Sequence, residues 1–243
     1  MRRAIAGAAL ALVVATPALA GPPYLTDDPA PTDTGHWEVY GPLVEASGTG
    51  SDYEGSTGVE LNYGPATDVQ LTLELPYAFA HDETGSHSGA GDIGASIKYR
   101  FYNNEAAGVQ LAVFPAITLP TASAGLGAGR VTGYLPIWGQ KDFGPWSLFG
   151  GGGYAINPGP GQRNYWNGGI ALTRDLGQST SFGIEAFREG PDADDARATT
   201  SLGAGFIRKL GGPFRLLASA GPTFVDGQKA LQFHAYAALG LDF

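Results

Sequence analysis

Ten side chains in this sequence join useful chemistry to regular spacing: Glu60, Asn62, Thr72, Glu74, Asp92, Lys98, Arg100, Glu185, Gln232 and His234. Several fall two residues apart, Glu60 with Asn62, Thr72 with Glu74, Lys98 with Arg100, Gln232 with His234. That spacing puts both side chains of a pair on one face of an extended strand. Carboxylates and cations turned onto one wet face can steer small solutes, or pair across a passage and close it. A structural network of solvated charges is the competing account of the same residues. Catalysis would require a nucleophile and a base within hydrogen-bond reach, or an aspartate–histidine pair at a rim. The histidines are His36, His81, His87 and His234. His81 and His87 stand near Asp82 and Glu83 in a segment that reads as a loop, where a metal could bind but solvated side chains are the commoner outcome. No catalytic, cofactor-binding or metal site is assigned.

Composition limits what elements can carry these residues. The chain has no cysteine, so it has neither a disulfide framework nor a thiolate metal site. With 14 basic residues against 23 acidic ones it lacks the clustered cations that nucleic acid needs. Thirty-eight glycines and an aromatic content of 11% disfavour helices and favour strands. Beyond the first residues no run of about 18 apolar positions occurs, which excludes a helical membrane protein. Glycines 150–153 lie inside a strand pattern with no helix following, so they do not read as a phosphate cradle.

The N-terminus bears on compartment. Arg2 and Arg3 precede an apolar stretch from Ala4 to Val14, closed by Pro17 and the small pair Ala18 and Ala20. That order is expected of a secretory signal peptide over residues 1–20, with the mature chain starting near Gly21. Residues 21–34 then form an N-terminal periplasmic or plug segment, and 35–243 an all-β domain.

Alternation defines that domain. Leu71, Leu73, Leu75, Tyr77 and Phe79 interleave with Gln70, Thr72 and Glu74, and Ile93, Ala95, Ile97, Tyr99 and Phe101 interleave with Asp92, Ser96, Lys98 and Arg100. Charges on one face cannot sit unpaired in a dry core. In a transmembrane barrel they face the lumen and the apolar row faces lipid. Strands are expected near 35–45, 56–64, 68–80, 91–102, 108–120, 131–141, 146–156, 164–174, 180–189, 198–208, 213–221 and 230–243, about twelve in all. Short turns at 64–67, 103–107, 142–145, 175–179 and 209–212 alternate with longer connections at 46–55, 80–90, 121–130, 157–163, 190–197 and 222–229. Such alternation matches periplasmic turns and extracellular loops of a transmembrane antiparallel β-barrel. The row Leu231, Phe233, Ala235, Ala237, Leu239, Leu241 and Phe243 looks like an assembly signal for outer-membrane barrels.

Several local motifs carry a family resemblance. The run from Pro23, Tyr24, Leu25, Thr26, Asp27, Asp28 to Pro29, followed by Gly35, His36, Trp37 and Glu38, resembles the mature start of outer-membrane barrels grouped as "MetA-pathway of phenol degradation", described as transporters. Gly91–Asp92–Ile93, Lys98 through Phe101, Phe114–Pro115, Leu119–Pro120–Thr121, Gln140 through Gly144 and Asn157–Pro158–Gly159 extend the resemblance over most of the chain. It implies passage of aromatic or hydrophobic compounds and assigns no catalytic residue.

These features together point to a channel or transporter for small molecules in the cell outer membrane, with the ten residues above lining its lumen and no cofactor. A barrel of this size lies below the 16–18 strands of general porins, so its pore should be narrow or blocked by side chains. Glu74, Lys98 and Arg100 are expected to share the lumen and to pair there. The expected partners are outer-membrane lipid and lipopolysaccharide, the barrel assembly machinery and a small-molecule substrate, with no nucleic acid. A plugged structural or surface-interaction barrel is the alternative, and a barrel enzyme the more remote one.

Overall fold

The computed structural model describes residues 23–50, 52–229 and 231–243. The signal peptide expected at 1–20 lies outside them. Fourteen strand segments follow in order: β1 (Trp37–Thr49), β2 (Asp52–Ala66), β3 (Val69–Asp82), β4 (Gly85–Ala90), β5 (Ile93–Asn104), β6 (Val109–Val113), β7 (Ala116–Leu119), β8 (Thr132–Phe143), β9 (Trp146–Ile156), β10 (Tyr165–Asp175), β11 (Thr180–Glu189), β12 (Thr199–Gly211), β13 (Phe214–Val225) and β14 (Leu231–Asp242). No helix occurs among the described residues.

The segments make twelve staves. β4 and β5 both pair with β3 and form one stave, interrupted at Gly91 and Asp92. β6 and β7 form another between β5 and β8, interrupted at Phe114 and Pro115. Proline has no N–H to give the ladder, and the flanking bonds from Phe114 N to Pro136 O (3.3 Å) and from Ile97 N to Pro115 O (3.1 Å) hold the pairing across that break. Every neighbouring pair is antiparallel, and β1 pairs with β14 from Glu38↔Asp242 to Gly48↔Phe233, so the sheet closes on itself. Closure leaves no free edge along the seam.

The outer wall is apolar. Leu71, Leu73, Leu75 and Tyr77 on β3, Ile97, Tyr99 and Phe101 on β5, and Phe182 and Ile184 on β11 are all exposed, Ile184 by 53%. Such a continuous band would be costly in water and matches hydrocarbon. Inward positions alternate with it. Tyr40, Ile207, Leu217 and Ala238 pack as a small interior core, with Leu43 and Tyr236 against it. On β9 inward glycines admit aromatics from β8: a Cβ on Gly151 would lie 2.9 Å from the Trp138 ring, and one on Gly153 2.6 Å from Tyr134.

Two expected loops are strand instead. β1 continues to Thr49 and β2 begins at Asp52, while β3 continues to Asp82 and β4 begins at Gly85. Gly, Ser and acidic residues made 46–55 and 80–90 read as loops. Cross-strand aromatic contacts hold them as projecting hairpins: Tyr53 stacks on His81 at 5.5 Å and meets Phe79 edge-on at 6.3 Å. The expected connection at 222–229 is shorter than its composition implied, because β13 runs on to Val225; what remains of it, and those at 121–130, 157–163 and 190–197, lie at the same end of the barrel as these hairpins. The short turns and the residues 37 and 243 lie at the opposite, turn end, where Trp37 and Phe243 exchange backbone bonds of 2.7 and 3.0 Å.

Candidate functional site: a strapped lumen

Residues 23–36 enter the barrel as a strap rather than as a strand. Near its start, Ser219 of β13 donates to the Pro23 carbonyl, and the Tyr24 hydroxyl donates to Gly205 O of β12 at 3.0 Å. The N–H groups of Leu25 and Thr26 donate to the two carboxylate oxygens of Glu185 on β11, at 3.1 and 3.0 Å. Further along, Lys98 of β5 reaches Asp27 Oδ1 at 3.1 Å and Asp28 O at 2.9 Å. Gln70 of β3 accepts from the N–H and hydroxyl of Thr32, at 2.8 and 3.0 Å. β3 and β11 lie six staves apart, half the circumference. The strap therefore crosses the lumen, and Thr26, Asp28, Pro29 and Thr32 are buried in it.

Small inward residues make room for it. A Cβ on Gly183 of β11 would stand 2.5 Å from the Tyr24 hydroxyl, and one on Gly205 would stand 3.0 Å from the Tyr24 ring. A Cβ on Gly169 of β10 would collide with the Thr26 hydroxyl. Glycine weakens strands unless something approaches closely; here the strap does.

Beyond the strap the lumen widens into a cavity of about 810 Å³. Tyr24 and Leu25 form its floor, Glu45, Glu60 and Glu74 stand on β1, β2 and β3, and His234 and Tyr236 on the adjoining β14. Its far side is bounded by Leu126, in a loop folded inward because Asp92 accepts the N–H groups of Ala122 (2.9 Å) and Ala128 (2.7 Å). A polar chain links strap and cavity: Gln70 Nε2 donates to Asn62 Oδ1 at 2.9 Å, and Asn62 Nδ2 donates to Glu60 Oε1 at 2.8 Å. Thr72 donates to the same Asn62 oxygen at 2.6 Å.

The ten residues singled out in the sequence thus divide. Glu60, Glu74, Asp92 and His234 border the cavity. Lys98, only 3% exposed, and Glu185 grip the strap, while Asn62 and Thr72 belong to the polar chain. Gln232 is half-buried opposite Thr223 on β13. Arg100 is at the turn end, bonded to Asp68 Oδ1 at 2.7 Å and Gln110 Oε1 at 2.7 Å. The expected pairing of Glu74 with Lys98 and Arg100 does not form. Glu74 stands opposite Gly94, whereas Lys98 is opposite Gln70, four residues or about 13 Å along the stave. His81 and His87 engage Ser86 and Thr84 in the projecting hairpin, at 2.9 and 3.1 Å.

Arg215 was not among the expected site residues. Its guanidinium contacts Glu38 at 3.2 Å, Asp242 at 2.9 Å and the Tyr40 hydroxyl at 2.7 Å, which ties β13 to both strands of the closing seam. Its parity with Leu217 and Ser219 was the available signal.

No family profile matches the chain, and neither does any curated protein. Solved structures do. The barrel is similar to an outer membrane channel from Pseudomonas putida F1, with a TM-score of 0.72, 16% identity, and coverage of 91% of this chain and 99% of that one. It is also similar to the translocator domain of the autotransporter NalP from Neisseria meningitidis, with a TM-score of 0.58, 11% identity, and coverage of 87% and 89%. At these identities the likeness is one of fold: a closed, twelve-stave barrel of the outer-membrane kind.

Proposed function

We propose that this chain is an outer-membrane channel for small molecules, with the N-terminal strap as its constriction. The observation that carries this reading is the lumen itself: a closed barrel with an apolar exterior, a polar interior and a cavity of about 810 Å³ that the strap separates from the turn end. In this reading the turn end is periplasmic and the long connections are extracellular. The cavity then opens toward the outside, and Glu60, Asn62, Thr72, Glu74, Asp92, Lys98, Arg100, Glu185, Gln232 and His234 line or brace the route. Tyr24 and Tyr236 on the cavity boundary suit aromatic or hydrophobic compounds among the solutes. The outer band meets outer-membrane lipid and lipopolysaccharide, and the barrel assembly machinery inserts the folded wall.

The strap also favours a second reading, a permanently plugged barrel with a structural role, since it is bonded at both ends of its crossing. Swelling of liposomes that contain the folded chain separates the two. The channel reading expects influx of small solutes, aromatic ones included, with a sharp size limit. Swelling no faster than that of protein-free liposomes for every solute would favour the plug.

A further inference from the structure

The charges around the cavity are of one sign. Glu45, Glu54, Glu60, Glu74 and Asp92 border it, and no lysine or arginine does. Asp92 is occupied by two backbone N–H groups, and Glu45 and Glu60 each accept one neutral donor, from Ser56 and Asn62. Glu74 has no hydrogen bond or ion pair among the described residues. Glu60 and Glu74 are direct cross-strand partners on β2 and β3, and like charges so placed destabilise a sheet. The nearest lysine in the lumen, Lys98, is turned away to Asp27 and the strap carbonyls. Lys98 therefore acts on Glu60 only through its field, and no cation makes direct contact with Glu60 or Glu74 among the described residues.

A second observation comes from β14, which adjoins the glutamate-bearing staves through β1 and sets Tyr236 directly across from Glu45. His234 is more than nine-tenths buried; its Nδ1 engages Thr223 at 3.1 Å, and its Nε2 has no partner. The Tyr236 hydroxyl beside it is likewise buried and unpartnered. Buried polar atoms are nearly always satisfied, so this run of staves from β14 to β3 is short of a polar guest. A bare metal ion suits them poorly, since no group of three ligating side chains converges among the described residues. An ammonium group supplies a positive charge and three donors without demanding that convergence. Leu43, Leu126 and the Tyr24 ring give an apolar body a place to rest, and the volume falls in the range of small-molecule sites.

We propose that the cavity between the strap and the loop at 121–130 is a binding site for small organic ammonium ions, held by the opposed Glu60–Glu74 pair with the apolar body against the floor and far side. The proposal deepens the channel reading by naming a substrate class, and it rests on that reading only for passage, not for binding.

Calorimetry on the folded full chain in detergent tests it, with benzylammonium, benzyl alcohol and benzoate as probes of equal shape. The expectation is that benzylammonium binds roughly tenfold or more tightly than benzyl alcohol, the difference a charge-assisted contact makes, and that benzoate binds least. Glu60→Gln/Glu74→Gln should abolish the preference while keeping the Asn62 contact, and Glu74→Gln alone should weaken it; heat-modifiable migration shows that each barrel is folded. Equal affinity for benzylammonium and benzyl alcohol, or an unchanged preference in the folded double variant, overturns the site. Charge-selective binding in a barrel that passes no potassium current upholds the site and overturns the channel reading instead.

Discussion

Replacing Glu185 with alanine should release the strap from the lumen. Its two oxygens accept the N–H groups of Leu25 and Thr26 at 3.1 and 3.0 Å, and the side chain is 5% exposed. A hydrogen bond to a charged group contributes about 1.5–3 kcal/mol net, so the pair is worth roughly 3–6 kcal/mol when dry. The cavity beside Leu25 can admit water to the freed N–H groups, which lowers the expected loss to about 2 kcal/mol, or roughly a 30-fold shift toward the undocked strap. Because the chain has no cysteine, Thr26→Cys reports that shift directly. Thr26 is fully buried when docked, so a hydrophilic maleimide should react with Thr26→Cys about 30-fold faster when Glu185→Ala is added. Single-channel conductance should rise in parallel. Glu185→Gln, which retains one acceptor, should fall between. If labelling and conductance are unchanged in folded Glu185→Ala, the strap is not held in the manner described.

Gly183→Val should fill the space taken by the Tyr24 hydroxyl and displace the strap while leaving the ladder paired, read as faster Thr26→Cys labelling at unchanged heat-modifiable migration. Lys98→Gln should raise open probability and shift the reversal potential toward cations, because it removes the grip on Asp27 and a buried positive charge. Arg100→Gln should leave both nearly unchanged, since that side chain is engaged with Asp68 and Gln110. The docked Asp28 carboxyl is pushed up by burial, with Lys98 opposing and Asp27 adding to the rise. The docked form then holds its proton more tightly than an undocked, ordinary carboxylate. Docking is favoured in acid and weakens as pH rises from the usual carboxylate range toward the docked value. Conductance should accordingly increase with pH over that window, and Asp28→Asn should flatten the profile.

Much of the wall was legible because period two is a local signal. The alternation at 69–79 and 93–101 fixes which side chains face lipid, and the structure keeps that parity on β3 and β5. Strand ends were less legible. The hairpin of β1 and β2 depends on Tyr53 meeting Phe79 and His81 on a third segment, which composition does not reveal. The single strand expected at 108–120 is broken at Phe114 and Pro115, and Pro115 is the visible marker of that break. Parity also says nothing about height. Glu74 and Lys98 share an inward face, but the register of β3 on β5 places them four residues apart, and only long-range pairing sets that register. The sequence presents residues 21–34 only as a periplasmic or plug segment, because the strap's anchors at Glu185, Gly205 and Ser219 are more than 150 positions away. No local pattern could connect them. The inward glycines at 169, 183 and 205 become intelligible only with the strap in place.

On the proposed reading the strap controls passage through an otherwise open barrel. Planar-bilayer conductance of the folded chain with and without residues 23–34 tests it most directly. Small or intermittent conductance is expected for the intact chain, and a larger, steady conductance once the strap is removed. Equal conductance from the two folded proteins, or none from either, would contradict it.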